Sequence, residues 1–116
     1  LHGQTHAPIP DAADPDAELA GARAALAKSL GQSESMAQAM SFPHGRFDPS
    51  TVKRVRAAGF ELAFTSVPAM NPVRPRLGWL LARTGIERDE VVDDAGDFMP
   101  EVVALYLFRL PSRRLF

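Results

Sequence analysis

An α/β chain whose strands run parallel is predicted by three features of the sequence. Two segments share one helical grammar, Asp-Pro at the start and Gly at the end: Asp14-Pro15 through Gly31, and Asp48-Pro49 through Gly59. Apolar segments flank the second of these helices, one ending at Ser41-Phe42 and one covering 60–65. The order strand, loop, helix, strand is that of a parallel sheet joined by crossover helices. The third feature is size: 116 residues, 46% of them hydrophobic, suit one domain or part of one and leave no room for two.

Each element has a local cause. Asp14 offers oxygens to the free N–H groups of a first turn, Pro15 suits the first helical position, and Asp16 adds a negative charge at the positive end of the helix dipole. Leu19, Ala22, Leu26 and Leu30 then recur three or four positions apart, which predicts one apolar stripe facing a core. Gly31 accepts the left-handed backbone that ends a helix. Ser41-Phe42-Pro43-His44-Gly45 reads as a strand end entering a turn. Asp48-Pro49 repeats the cap, with Val52, Val55 and Ala58 as the stripe before Gly59. Residues 60–65 alternate as a strand. A Pro-rich loop follows, with Pro68, Pro72 and Pro75, then a strand at 79–82. The spacing in 100–110 predicts a closing helix that buries Val103, Leu107 and Leu110, its C-terminal end suited by Arg113-Arg114.

Composition narrows the function classes. With 13 Lys plus Arg against 14 Asp plus Glu, the net charge of −1 lacks the basic excess of a nucleic-acid binder. The absence of cysteine excludes disulfides and thiolate metal sites. The longest apolar run, 102–108, falls far short of the roughly 20 residues that span a bilayer. The chain opens Leu1-His2-Gly3-Gln4-Thr5-His6, with neither a start methionine nor a signal-peptide head. A candidate site at the second residue suggests a fragment whose upstream strands are missing.

All three histidines, His2, His6 and His44, lie in two loops, each just before a helix. In parallel α/β folds such loops open at the C-terminal ends of the strands, on one face. Neutral imidazole is a common metal ligand, and two imidazoles four residues apart can converge on one ion. Gly3, Thr5, Pro8 and Pro10 oppose a helix there, so a turn must bring the rings round. The pattern differs from the helical His-Glu-x-x-His of metalloproteases. The residues alone equally allow a surface turn with hydrogen-bonded imidazoles. Arg74 and Arg76 would suit an acidic polymer or a solvated loop, and Trp79 a sugar ring or a buried strand. Asp93, Asp94 and Asp97 look like the start of a calcium loop but lack its glycine and glutamate at the required offsets.

His2-Gly3-Gln4-Thr5-His6, an alanine-rich helix, Phe42-Pro43-His44-Gly45-Arg46-Phe47-Asp48, Ala57-Ala58-Gly59-Phe60 and Ala63-Phe64-Thr65-Ser66 follow one another in an order that resembles the NodB-like polysaccharide deacetylases. The resemblance covers roughly residues 1–66, and Arg83-Thr84-Gly85-Ile86 fits the tail of one branch less specifically. It implies part of a distorted (β/α) barrel with its first strand or strands missing, the whole of 1–116 forming a single partial domain. It further implies a divalent metal, zinc by preference, held by an aspartate and two histidines, and hydrolysis of N-acetyl groups on a sugar polymer or glycoconjugate. His2 and His6 match the metal-binding histidines. Pro43-His44-Gly45 matches a proline-aromatic-glycine turn, in which the His44 backbone N–H would hold the oxyanion. Phe42, Pro43, Gly45 and Arg46 would border the carbohydrate, although Phe42 and Phe47 equally suit a core beneath the loop.

The departures are specific. Ser41 stands where an arginine is usual, and His44 replaces a tyrosine. The aspartates that serve as base and third ligand are expected upstream of Leu1, and no histidine follows His44 to act as general acid, with Arg83 near that place either taking part or standing as an ordinary surface arginine. The chain alone is therefore expected to be inactive, and its open strand edges to favour dimers, aggregation or partial melting. Two rival readings remain: a non-catalytic sugar-binding or interaction module of the same fold, and a plain α/β module with structural histidines.

Overall fold

A computed structural model describes residues 1–69, 71 and 78–108. The chain forms two compact units, residues 1–65 with 77–81, and residues 66–76 with 82–116.

The first unit is the α/β layer. It contains α1 (Pro15–Leu30), β1 (Ala39–Ser41), α2 (Pro49–Ala57), β2 (Leu62–Phe64) and β3 (Leu80–Leu81). The strands lie in the order β1-β2-β3, all parallel, with Met40 opposite Ala63 and Ala63 opposite Leu80. Leu1 continues the sheet on the other side of β1. Its N–H group donates to Ala39 O at 2.8 Å and its carbonyl accepts from Ser41 N at 2.9 Å, the pattern of a parallel bridge. His2, Phe42 and Thr65 consequently leave the sheet at the same C-terminal edge.

Both helices begin as their caps dictate. Asp14 Oδ1 accepts from Asp16 N at 3.1 Å and Ala17 N at 3.0 Å, and Gly31 closes α1 at φ 62°. Asp48 Oδ1 accepts from Thr51 N at 2.7 Å, and α2 buries Thr51, Val52 and Val55. The apolar stripe expected on α1 is only half realised. Leu19 and Ala22 are buried, but Leu26 is half-buried, Leu30 is 61% exposed, and Ala27 is buried instead. Lys28, Ser29 and Leu30 are all exposed, so the last turn runs past the packed part of the unit and nothing covers its leucine.

The core is formed by Ile9, Leu19, Met40, Phe42, Val55, Phe60 and Leu80, each buried to within 2%. Side chains of this size contribute about 1.5–3 kcal/mol apiece on burial. Arg23 links α1 to the end of α2: its guanidinium donates to Ala58 O and, at 2.9 Å, to Glu34 O, and lies 5.3 Å from the centre of the Phe60 ring. Trp79, expected to be buried in a strand, is half-buried beside β3, with the Arg56 guanidinium 5.5 Å from its ring centre.

The second unit contains α3 (Arg88–Val91) and α4 (Pro100–Phe108). Asn71 stands in for a strand partner: its amide donates to Ala82 O at 2.9 Å and accepts from Ala82 N at 2.8 Å. The one-turn helix α3 was not anticipated. It depends on a capping box in which the Glu90 carboxylate accepts the Glu87 N–H at 2.9 Å, and one turn is too short to show a period. The Asp93 region forms a hairpin turn, where Asp93 Oδ1 accepts from Ala95 N and Asp97 N at 2.9 Å each while Val92 pairs with Phe98.

Helix α4 departs from the expectation in what it buries. Val103 is half-buried and Leu107 exposed, because apolar residues occur nearly all round this helix and one face cannot cover them. Leu110, Arg113 and Arg114, like Pro72, Arg74, Pro75 and Arg76, lie outside the described residues. Among the described residues, no helix is long and apolar enough to cross a membrane.

Candidate metal and oxyanion site

Two loops meet at the C-terminal edge of the parallel strands, where loop backbone is free of the ladder and available for chemistry. The first runs from Leu1 to α1 and the second from β1 to α2. Together they carry all three histidines. The His2 and His6 ring centres are 4.7 Å apart at a tilt of 42°, and those of His6 and His44 are 4.6 Å apart at 45°.

His2 is oriented by β1. Its Nδ1 lies 2.9 Å from Ser41 O and 2.8 Å from Ser41 Oγ. A carbonyl oxygen can only accept, so a proton on Nδ1 would satisfy this contact and leave the lone pair on Nε2, whereas the Ser41 hydroxyl could donate to an unprotonated Nδ1. The arrangement with Nδ1–H bonded to a carbonyl and Nε2 open is the one a metal-ligating histidine uses. The sequence places Ser41 at a strand end, where an arginine is usual in the family it resembles. Its position as the last residue of a strand was the available signal for this role.

The spacing of His2 and His6 suits a shared ion. Two imidazoles bound tetrahedrally through bonds of about 2.0–2.1 Å would have ring centres about 5 Å apart, close to the 4.7 Å found. Among the described residues, no group of three or more His, Cys, Asp or Glu side chains is placed to hold a metal. His6 and His44 are as close, at 4.6 Å, so the spacing is compatible with a shared ion without singling out the His2–His6 pair.

The backbone at this site is unusual. His6 (φ 69°) and His44 (φ 54°) both adopt the left-handed conformation. For a residue with a Cβ this costs roughly 1–2 kcal/mol and persists only where neighbours hold it. In the second loop, Gly45 N donates to Phe42 O at 3.0 Å and Arg46 N to Pro43 O at 3.1 Å, closing a tight turn. The His44 N–H makes no hydrogen bond among the described residues, and His44 is exposed. Pro43 is buried and Gly45 half-buried beside it.

Two residues expected to border a carbohydrate have other partners. Phe42 is 1% exposed and its ring stacks on Phe47, centres 5.0 Å apart, so it belongs to the core beneath the loop. Arg46 forks onto the Asp11 carboxylate, one of its two bonds measuring 3.1 Å, in an exposed ion pair.

The carboxylates around the loops are likewise engaged. Asp14 and Asp48 cap helices, Asp16 pairs with Arg54 at 2.6 Å, and Glu18 binds Thr5. The Asp48 carboxyl is held down to about 2, first by the Thr51 N–H and then by the Ser50 and Thr51 hydroxyls. Arg83 is exposed and belongs to the second unit. Compared with protein-family models, with characterised proteins and with solved structures, the chain finds no match.

Proposed function

We propose that the chain carries the histidine and oxyanion part of a metal-dependent carbohydrate N-deacetylase resembling the NodB-like family. The observation that carries this reading is the His2 ring, held through Nδ1 against Ser41 so that Nε2 would be the atom open to a metal, its centre 4.7 Å from that of His6. The strand order supports the barrel expectation. Leu1, β1, β2 and β3 pair in sequence order, as successive strands of a (β/α) barrel do.

His2 and His6 would hold the divalent ion, zinc by preference, with an aspartate preceding Leu1 as third ligand and another as base. A bound zinc would supply Lewis acidity, polarising the amide carbonyl and lowering the pKa of water. The His44 N–H, already turned out of the hydrogen-bonded ladder, would donate to the oxygen on which charge develops. One such donor contributes about 2.7–4 kcal/mol to barrier lowering. Pro43 and Gly45 hold that N–H in place, and Arg46, released from or paired with Asp11, borders the entrance. The substrate class is an N-acetylated amino sugar in a polymer or glycoconjugate.

The second reading, a non-catalytic sugar-binding or interaction module of the same fold, draws on one observation. Asp11, Asp14, Asp16, Glu18 and Asp48 all have structural partners, so no carboxylate of these loops is free to act as base. Zinc calorimetry at neutral pH and acetate release from amino-sugar oligomers separate the two, on the chain and on a form extended at its N-terminus. His2→Ala or His6→Ala should abolish metal-dependent hydrolysis. Activity surviving either substitution refutes the metal assignment, and zinc binding without acetate release supports the second reading.

A further inference from the structure

A carboxylate that the deacetylase reading does not use lies beneath the first histidine loop. Glu18, in the first turns of α1, is only 7% exposed. Its Oε1 accepts the Thr5 N–H at 2.6 Å and the Thr5 hydroxyl at 3.1 Å. The shorter contact is a charge-assisted bond from backbone to carboxylate. The loop must lie close for this to form: a Cβ at Gly3, where φ is 76°, would stand 2.9 Å from Glu18 Oε1 and 3.3 Å from Pro43 Cγ. One turn further along the same face of α1, the Gln4 side chain rests on Gly21, where a Cβ would come within 1.8 Å of its Oε1. The segment between the two histidines is thus attached to α1 at two points.

The two histidines are held in different ways. His2 has Ser41 for its Nδ1. The His6 ring has contacts with His2 and His44 and makes no hydrogen bond among the described residues. Its backbone is left-handed at φ 69°, an unfavourable state that something outside the residue must maintain. Both residues that flank it are tied through Thr5: the Ala7 N–H donates to Thr5 Oγ1 at 3.4 Å across the turn, and Glu18 accepts the Thr5 N–H and hydroxyl.

We infer that Glu18 is a positioning residue: by binding Thr5 it fixes the left-handed turn at His6 and sets the His6 ring against His2. The functional consequence, metal affinity, rests on the deacetylase reading; the geometric consequence does not. The test therefore has two arms, both on the full chain.

In the metal-free chain, the ring-to-ring nuclear Overhauser contact between His2 and His6 and the exchange rate of the Thr5 amide are compared between wild type and variants. Glu18→Ala should lose both while the amides of α1 and α2 stay protected, and Glu18→Gln, which keeps an accepting oxygen, should restore the ring contact. Gly3→Ala sets a Cβ 2.9 Å from Glu18 Oε1 on a backbone of φ 76°, which displaces the carboxylate from the loop while leaving the sequence of α1 unchanged, and should lose the ring contact as well, so it decides the matter if Glu18→Ala fails to fold. An unchanged ring contact in Glu18→Ala or in Gly3→Ala overturns the inference.

In the second arm, zinc titration should show an affinity about 10- to 100-fold weaker in Glu18→Ala than in wild type, the usual effect of losing an outer-shell partner, and largely recovered in Glu18→Gln. Equal zinc affinity in wild type and Glu18→Ala overturns the inference. No zinc binding by wild type, alone or extended, refutes the deacetylase reading, and the ring contact then decides the role of Glu18.

Discussion

Replacing Phe42 by alanine separates a core role from a carbohydrate-binding role at the residue where the sequence allowed both. The ring is 1% exposed, between the sheet edge and the histidine turn, and stacks on Phe47 at 5.0 Å. Truncating a buried phenylalanine costs about 3–5 kcal/mol, transfer and cavity together. Of this, about 0.5–1.5 kcal/mol belongs to the aromatic pair itself. With a urea slope of about 2 kcal/mol/M for a domain of this size, the midpoint should fall by about 1.5–2.5 M. Trp79, the only tryptophan, lies in the same unit and reports its unfolding by fluorescence. A double-mutant cycle with Phe47→Ala isolates the pair, and a Phe42→Leu background serves where the alanine variant is too unstable to show a baseline. A cost below about 1 kcal/mol together with strict additivity in the cycle would refute the packing assigned to this loop.

Other consequences follow from caps and from the helix stripe. Because the folded-state pKa of Asp48 is lowered from 3.8 to about 2, its contribution to stability is fully present above 3.8 and is lost as pH falls through about 2. Thermal melts of wild type and Asp48→Asn should therefore differ at neutral pH, and the difference should shrink as pH falls from about 4 to about 2; a difference that stays constant over that range would contradict the cap. Leu30→Ser, on the exposed last turn of α1, should change stability by no more than about 0.5 kcal/mol. Leu19→Ala, on the buried face of the same helix, should cost about 2–5 kcal/mol; urea midpoints of the two variants that coincide would mean the helix is rotated.

The parts of the fold written most plainly in the sequence are those whose physics is local. Asp14-Pro15 with Gly31, and Asp48-Pro49, start and stop helices because the cap oxygens and the N–H groups they satisfy lie within three residues of one another. Likewise, β1 and β2 are short apolar segments on either side of α2, and their parallel pairing follows from the crossover between them. The placement of His2, His6 and His44 at one edge could be read from this order alone. Packing, by contrast, depends on what lies across from a residue. Leu26 and Leu30 continue the spacing of Leu19 and Ala22, yet Leu30 is exposed because α1 outruns its neighbours. In α4, the apolar residues are too evenly spread for periodicity to select a face.

The same division holds within the site. That histidines occupy the two loops is a fact of sequence. What the His2 ring rests against was decided by Ser41, 39 positions away. At His6 a local bond from Ala7 N–H to Thr5 Oγ1 is joined by a distant one, Glu18 accepting the Thr5 N–H across 13 positions. Whether Phe42 meets sugar or core was decided by Phe47 and the sheet beneath it. Caps and strand order follow from chain-local hydrogen bonds and therefore show in the sequence. The partners of His2 and of the buried Glu18 are groups that only the folded chain brings within hydrogen-bond distance.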